Sequence, residues 1–440
     1  MNQNAQTLRA DAHPSKAFFT ETLPRDIPLS DCILDLVDNS IHRLITPTGL
    51  DVSEHLVAGT KAARISVAVD VAFDPSKFTI KDDCGGISID DAREQVFRFG
   101  EPVKQKTQAG LGVYGIGMKR AFFKIGKQIS IASRTIDEKF RIDIDVDDWM
   151  KNDAWDFPFT YARKENSKTG GTDIDISKLY PAVSEQFASK AFRGILVEKM
   201  SRVFALFLKA GLKIKVNAEA CLPDIPELAE SKDLRAVRHM FKKDGVDVLI
   251  MAGLSPKHDR KPRGWYVFCN GRMVLDADKT EKTGWGTDSH PAFHVKYNHF
   301  LAYVYFRSQE VQKLPWTTTK DGVDRESPIY QTALSEMRLL SRPILDFLNT
   351  FYEDVKEQSE PERAVFEKAR PVSPLKIAVR QNTPFEVRVK KTADDELVSI
   401  QYPRPNKKLR RIREVLGRSS MSASRIGQYT FDWFYDRNCK

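Results

Sequence analysis

Residues 29–44, LSDCILDLVDNSIHRL, constrain the fold more than any other part of the chain, because as a helix they separate into two faces. One face is polar and gathers Asp35, Asp38, Asn39 and His42. Asp and Asn oxygens suit a hard cation that keeps water ligands, whereas a solvated face usually mixes charge signs. Two interpretations therefore stay open from this segment alone, a cation-binding face and an ordinary surface face. The opposite, apolar face consists of Leu29, Ile33, Leu36, Val37, Ile41 and Leu44.

The composition is that of a soluble globular protein with room for two or three domains: 440 residues, 41% hydrophobic and 29% charged. No apolar run approaches the ~18 residues of a membrane span, and the first residues are too polar for a signal peptide. The five cysteines lack paired spacing, which favours reduced thiols in a cytoplasmic protein and disfavours a zinc site.

The net charge of +9 is concentrated at one end of the chain. Residues 361–440 contain 18 Lys or Arg against 9 Asp or Glu, so the first 360 residues balance at 51 against 51. The basic character therefore belongs to the C-terminal region.

The pattern after the first helix predicts an α/β unit. We expect strands at 63–73, 77–81, 128–133, 140–146 and 170–176. Residues 97–109 are polar and typical of a mobile lid, and they precede a glycine-rich segment at 110–127.

A second α/β unit is predicted from about residue 182. It comprises a helix reaching residue 210, strands at 212–216, 246–251, 264–275 and 300–307, and a helix at 326–351. A charged, proline-bearing linker follows. The chain ends in a basic stretch, 407–413, and an aromatic cluster of Tyr429, Phe431, Trp433, Phe434 and Tyr435.

The segment GLGVYGIGMK, residues 110–119, places four glycines directly before a helical run. Glycines let the backbone approach an anion, and free N–H groups at a helix start can bind phosphate. The spacing fits neither a Walker A loop nor a Rossmann fingerprint. A flexible glycine-rich connection is the alternative.

The order of these parts resembles the GHKL ATPases, the superfamily of the gyrase, heat-shock chaperone, histidine kinase and MutL ATP-binding domains. DLVDNS (35–40) resembles that family's first motif, which implies that Asp35 is the general base and that Asn39 binds Mg²⁺. DDCGGI (82–87) resembles the DxGxGI turn, which implies an adenine contact at Asp82 and a turn glycine at Gly86. Gly171 and Thr172 resemble the Gly-Thr pair that supports that contact. YGIGMK, followed by IGK, is most similar to the MORC branch, which implies that Lys119 meets phosphate.

The resemblance implies a set of ATP-binding residues around these motifs. They are Asn39, Asp82, Gly86, Ile87, Gly110, Leu111, Gly112, Val113, Tyr114, Gly115, Ile116, Gly117, Met118, Lys119 and Thr172.

Three departures from the family pattern affect what is expected. Asp35 replaces the usual Glu and is one methylene shorter, which bears on the hydrolysis rate more than on binding. Cys84 stands at the first glycine of the turn. His42 and Arg43 replace the Asp-Ala pair that often ends the first motif.

The second unit also carries a resemblance. GWYVFCNGRMV (264–274) is similar to the NGR-bearing strand–turn–strand of MutL and MORC transducer domains. KLPWTTTKDG (313–322) resembles the loop that sends a lysine to the γ-phosphate, which implies Lys320, or alternatively Lys313. The alternative interpretation is that Lys320 and Lys313 are both solvated lysines on the surface.

The expected fold is therefore α+β, with a Bergerat-type α/β sandwich followed by a ribosomal-S5-like α/β transducer and a small basic C-terminal segment. The expected bounds are 1–25 for an N-terminal arm, 26–180 for the ATP-binding domain, 181–355 for the transducer and 356–440 for the linker and C-terminal region.

The resemblance implies a Mg²⁺-dependent ATPase that dimerises and closes on ATP. We expect action in DNA transactions or in defence against foreign DNA, with the basic tail on phosphates and its aromatics on bases. A solvated basic helix and a small aromatic core are the alternatives for the tail. A chaperone-like or scaffold ATPase that gates an effector protein, and an ATP sensor with little hydrolysis, are the alternative functions.

Overall fold

The computed structural model describes residues 14–48, 51–54, 56, 64–100, 111, 115–288, 290–353, 360–377, 382–388 and 400–439. By internal contacts the chain divides into two units, Met1–Val389 and Lys390–Lys440. Each unit is described by itself below.

The first unit is built around an eight-stranded sheet in the order β5-β4-β3-β6-β2-β1-β7-β8. All neighbours are antiparallel except β1 and β7. Strands such as β1 and β4 alternate buried and exposed residues, as sheets with one packed face do, whereas the edge strand β5 is exposed along nearly its whole length. Their bounds are β1 Ala68–Asp74, β2 Lys77–Asp82, β3 Gly126–Arg134, β4 Glu138–Asp145, β5 Phe159–Lys164, β6 Gly171–Leu179, β7 Lys213–Val216 and β8 Glu219–Ala220.

Helix α1 (Leu29–Thr48) and helix α2 (Gly117–Ile125) pack together over this sheet. The predicted apolar face of α1 is confirmed, since Ile33, Val37 and Ile41 have no exposed surface. Further helices in the same unit are α3 Val146–Lys151, α4 Pro181–Ala188, α5 Lys190–Val203 and α6 Ala205–Ala210.

A second sheet of five strands has the order β11-β12-β15-β13-β14. Its core is strongly aromatic, with Trp265, Tyr266 and Tyr303 among its fully buried side chains. The bounds are β11 Val237–Lys243, β12 Val246–Leu254, β13 Trp265–Cys269, β14 Arg272–Asp278 and β15 Phe300–Arg307. Helix α7 (Pro328–Glu353) packs on β12.

Two short ladders bring later segments into the first unit. Strand β9 (Leu228–Glu230) pairs with β16 (Arg370–Val372), and β10 (Leu234–Arg235) pairs with β17 (Glu386–Val387). Helix α8 spans Glu360–Lys368. Residues up to 388 therefore belong with the two sheets.

The second unit is a pair of helices, α9 (Asn406–Leu416) and α10 (Ala423–Asn438). Leu409, Ile412 and Leu416 recur at helical spacing and are half-buried, while Met421 and Ile426 are buried. All five aromatics of the tail are 44–60% exposed. The alternative that they form a small core is therefore wrong.

Several predicted elements differ from the observed ones. The single helix predicted to reach residue 210 is three helices, because it is interrupted at two residues. Ser189 is extended and caps α5 by accepting from the Phe192 N–H, and Phe204, with φ −102° and ψ 18°, separates α5 from α6. Strands β5 and β11 were not predicted, since their outer residues are largely polar. Strand β7 joins the first sheet beside β1, although it follows the predicted boundary at residue 181.

Candidate functional site

Asp35, Asp38 and Asn39 lie on one face of α1, as the helical period predicts. The helix begins after Pro28, whose carbonyl accepts the first N–H bonds, those of Asp31 and Cys32. Asp38 is fully buried and Asp35 is 4% exposed. This face is therefore not an ordinary surface face.

The carboxylate of Asp35 is held by α2. Arg120 Nη2 donates to Asp35 Oδ2 over 2.6 Å, and both side chains are buried. A Cβ added at Gly117 would lie 3.0 Å from the Asp35 carboxyl carbon, so glycine lets the start of α2 approach the carboxylate. Burial raises the pKa of Asp35 above its ordinary value, while the cations Lys320 and Arg120 oppose that rise.

Asn39 is oriented by the turn of helix that precedes it. Its Nδ2 donates to the Asp35 carbonyl oxygen over 2.8 Å. This bond uses the amide nitrogen and leaves Oδ1 as an acceptor, the atom that Mg²⁺ would take. The donor chemistry of Asn39 therefore fits a Mg²⁺ ion that brings most of its own ligands.

Asp82, the predicted adenine contact, ends β2 and accepts three hydrogen bonds. Oδ2 accepts from Ser40 Oγ at 2.7 Å, and Oδ1 accepts from the N–H groups of Cys84 at 2.9 Å and Thr172 at 3.3 Å. Burial raises the pKa of Asp82, and these hydrogen bonds oppose the rise. The structure thus brings Asp82 and Thr172 together with α1.

The turn after β2 is closely packed against β3 and β6. Gly86 has φ +76°, and a Cβ there would lie 1.9 Å from the Arg134 carbonyl oxygen. At Gly171 a Cβ would lie 2.1 Å from the Asp82 carbonyl oxygen. Ser133 joins both sides, since its Oγ accepts from the Ile87 N–H and contacts Thr172 Oγ1 at 3.0 Å. Cys84 is buried here, so a side chain fits at the position that is glycine in the DxGxGI pattern.

The glycine-rich segment is only partly described. Gly110, Gly112, Val113 and Tyr114 lie outside the described residues. Leu111 is buried, Gly115 has φ +60°, and Ile116 is the residue before α2. Met118 and Lys119 are buried in the first turn of α2, and Lys119 Nζ donates to the Val96 carbonyl over 2.8 Å.

Lys320 lies in the loop that follows β15 and reaches α1. Its Nζ donates to Asp38 Oδ2 over 2.8 Å, and the residue is 6% exposed. Lys313, the alternative, is more exposed and pairs with Glu310 at 2.6 Å. Of the two lysines, the one next to Asp35 and Asp38 is Lys320.

The buried ionic group around α1 carries more positive than negative charge. Its carboxylates are Asp35 and Asp38, and its cations are Arg120, Arg272 and Lys320. His42 adds no charge at neutral pH, because burial and the cations Arg43 and Lys320 lower its pKa to about 4. One excess buried positive charge is costly unless an anion offsets it. The group is therefore suited to an anionic ligand.

Sequence reasoning missed several residues of this site. Asp38 was placed on the right face but given no role, whereas it is the acceptor for both Arg272 and Lys320. Ser40 and Arg120 directly follow the predicted residues Asn39 and Lys119 in the sequence, and this adjacency could have indicated them. Ser133 carried no signal, since its role depends on the pairing of β3 with β6.

Two kinds of feature are absent from the residues that the structure describes. No helix among them is long and apolar enough to cross a membrane. No group of three or more His, Cys, Asp or Glu side chains among them could hold a metal ion. A Mg²⁺ ion bound through one Asn and a ligand's phosphates needs no such group.

Comparison with known proteins gives one match. Residues 28–173 match the family model described as histidine kinase-, DNA gyrase B-, and HSP90-like ATPase. No curated protein matches the chain. The matched segment runs from the residue before α1 into β6 and contains Asp35, Asn39, Asp82 and Thr172. The match supports an ATPase domain of the GHKL family at residues 28–173.

Proposed function

We propose that the protein is a Mg²⁺-dependent ATPase in which the second sheet supplies a phosphate-binding lysine to the ATPase domain. The observation that carries this proposal is the buried group of Asp35, Asp38, Arg120, Arg272 and Lys320, with its excess positive charge. A γ-phosphate placed beside Lys320 would offset that charge. The match of residues 28–173 to an ATPase family supports ATP as the nucleotide that is bound.

Asp35 is the proposed general base. Arg120 occupies Oδ2, and Oδ1 accepts no hydrogen bond from any residue in the described ranges. That oxygen is free to orient and deprotonate the attacking water. Asn39 would hold Mg²⁺, which when bound would neutralise charge on the phosphates.

The remaining roles follow the position of each residue. Asp82 would accept from the adenine amino group, with Ser40 and Thr172 fixing its carboxylate. N–H groups of the glycine-rich segment, Lys119 and Lys320 would stabilise charge developing on the γ-phosphoryl group. Because Lys320 follows the second sheet, hydrolysis would depend on how that sheet docks against α1.

Phosphate release by purified protein tests the enzyme proposal. Asp35→Asn should lower kcat by at least about 100-fold and leave the affinity for a nonhydrolysable Mg·ATP analogue within a few-fold. Asp31→Asn is the matched control, since Asp31 is on the same helix but pairs with Lys199. Equal rates for the wild type and Asp35→Asn would contradict the proposal. Tight binding with background hydrolysis in both would favour the ATP-sensor alternative.

We further propose that ATP drives homodimerisation, as GHKL ATPases commonly dimerise. Light scattering with and without the nonhydrolysable analogue and Mg²⁺ measures this directly. The mass should double with the analogue, and an unchanged mass would contradict an ATP-gated dimer.

A role in DNA transactions, including defence against foreign DNA, is proposed from the second unit. The exposed side of α9 carries Lys407, Lys408, Arg410 and Arg411, and α10 exposes aromatic rings such as Trp433. Cations suit phosphates and exposed rings suit unpaired bases.

Binding of a short single-stranded DNA at several salt concentrations tests this role. Replacing the four α9 cations with Ala should weaken binding and flatten its salt dependence. The control replaces four exposed lysines of the first unit (Lys164, Lys168, Lys190 and Lys209), which gives the same change in net charge. Equal losses in both variants would contradict a site on α9.

A further inference from the structure

The NGR turn between β13 and β14 contacts three separate parts of the molecule. Asn270 and Gly271 both have positive φ, +45° and +86°, which is the backbone of a tight two-residue hairpin turn. Asn270 fixes the turn to the end of β15, because its Nδ2 donates to the Ser308 carbonyl and its Oδ1 accepts from the Ser308 N–H. Gly271 lies against the segment after α1, where a Cβ would come within 2.4 Å of Val52 Cγ2.

Arg272 extends from this turn into the buried ionic group. Its Nε donates to both carboxylate oxygens of Asp38, at 2.9 and 3.0 Å. Its Nη1 donates to the main-chain carbonyl of Lys320 over 2.5 Å. The Arg272 side chain is 4% exposed, so these bonds are made away from water. One guanidinium therefore joins the side chain of Asp38 to the backbone of Lys320.

The backbone of Lys320 needs such support. Lys320 has φ +54°, a left-handed conformation that is unfavourable for a non-glycine residue. Its N–H donates to the Thr317 carbonyl, and its own carbonyl accepts from Arg272. Removing Arg272 would leave Asp38 with one cation instead of two and would free the Lys320 carbonyl.

We propose that Arg272 is the positioning residue for Lys320: it joins Asp38 of α1 to the Lys320 backbone and so holds the Lys320 ammonium where a γ-phosphate would bind. This inference rests on the proposed function of Lys320. It gives the NGR turn a role in coupling the second sheet to ATP, separate from the Asp35 chemistry.

The readout is the preference for a nonhydrolysable Mg·ATP analogue over Mg·ADP, measured by calorimetry, because a γ-phosphate contact affects only the first ligand. Lys320→Ala should lower this preference by about tenfold or more. Arg272→Gln should lower it by a similar factor, with kcat falling and KM for ATP changing less. The double variant should be no worse than Lys320→Ala, since Arg272 acts through Lys320.

Two controls separate positioning from a general loss of packing. Arg307→Gln removes another arginine that ties the second sheet to the segment after α1, through Asp51, but does not touch Lys320. It should lower thermal stability and leave the ligand preference unchanged. Lys282→Ala, which changes an exposed lysine in the turn after β14, should change neither the stability nor the ligand preference.

If Arg272→Gln does not fold, Arg272→Lys carries the test. A lysine can pair with Asp38 but lacks the guanidinium's second donor group for the Lys320 carbonyl, so the preference should fall partway. A wild-type preference in every folded Arg272 variant would overturn the inference, as would additive losses in the double variant. If the wild type shows no preference, or Lys320→Ala keeps it, the proposed role of Lys320 itself fails.

Discussion

Arg120 Nη2 lies 2.6 Å from Asp35 Oδ2, and this buried ion pair joins the two helices that cover the first sheet. The pair fixes one oxygen of the proposed base. The positive charge of Arg120 also stabilises the ionised Asp35 carboxylate, whereas burial alone favours its protonated form.

Replacing Arg120 should therefore destabilise the protein in a pH-dependent way. Arg120→Met leaves Asp35 buried without its partner, a change that costs about 3–5 kcal/mol in comparable pairs. The pKa of Asp35 is already raised in the folded state, and it should rise further in this variant. The loss of unfolding free energy should be greatest at pH values above the folded-state pKa of Asp35 in the variant. It should shrink as the pH falls through that pKa, because the protonated carboxyl group is tolerated when buried.

Urea unfolding at pH 8 and pH 5 measures this effect. The double variant Asp35→Asn with Arg120→Met, which removes both charges, should recover most of the loss at pH 8. A deficit that persists in the double variant at pH 8 would show that the lost packing of the Arg120 side chain, not the charge, causes it.

Ser40→Ala should weaken nucleotide binding through Asp82. The hydroxyl donates to Asp82 Oδ2 over 2.7 Å, so its loss removes one of three hydrogen bonds that hold the carboxylate ionised and oriented. Affinity for the ATP analogue should fall by about three- to tenfold, as expected for one hydrogen bond. Ser177→Ala serves as the control, since Ser177 lies on the sheet that carries Asp82 but is bonded to Gln128. Equal affinities for wild type and Ser40→Ala would contradict this role of Ser40.

Gly86→Ala should prevent nucleotide binding. The residue has φ +76°, and the new Cβ would lie 1.9 Å from the Arg134 carbonyl oxygen, so the turn after β2 must move. Binding of the analogue should be lost, with a lower melting temperature. Gly194→Ala, in helix α5 with open space around it, should bind normally and be slightly more stable. Normal binding by Gly86→Ala would mean that the turn does not shape the pocket.

His42 should make the protein sensitive to mild acid. Its pKa is about 4 in the folded state against 6.5 ordinarily, so between those values the unfolded chain takes up a proton that the folded chain does not. Stability should therefore fall as the pH drops from 6.5 to 4. His290 and His299 act in the same direction.

Comparing the wild type with His42→Gln measures the contribution of His42. The variant should lose stability less steeply over this range, by up to about 1.4 kcal/mol per pH unit. Parallel curves for the two proteins would assign the acid sensitivity to other groups.

The sequence by itself determined the local features of this protein. The 3.6-residue period placed Asp35, Asp38 and Asn39 on one face of α1, and the structure confirms that face and the buried side opposite it. Strand β2, whose residues alternate in burial, and strand β15, which is buried along nearly its whole length, were predicted close to their observed ends. These properties depend on neighbouring residues, which a sequence shows directly.

Only the tertiary structure decided which distant residues meet. Asp38 lies 234 positions from Arg272 and 282 from Lys320, and no local pattern indicates that both cations share its carboxylate. No local pattern indicates the bond from Arg120 to the Asp35 carboxylate, or the bond from Ser40 to the Asp82 carboxylate, either. A short-range pattern fixes which way a side chain points, but the packing of helices and sheets fixes what it reaches. The excess positive charge beside α1 therefore becomes visible only when the two sheets are docked.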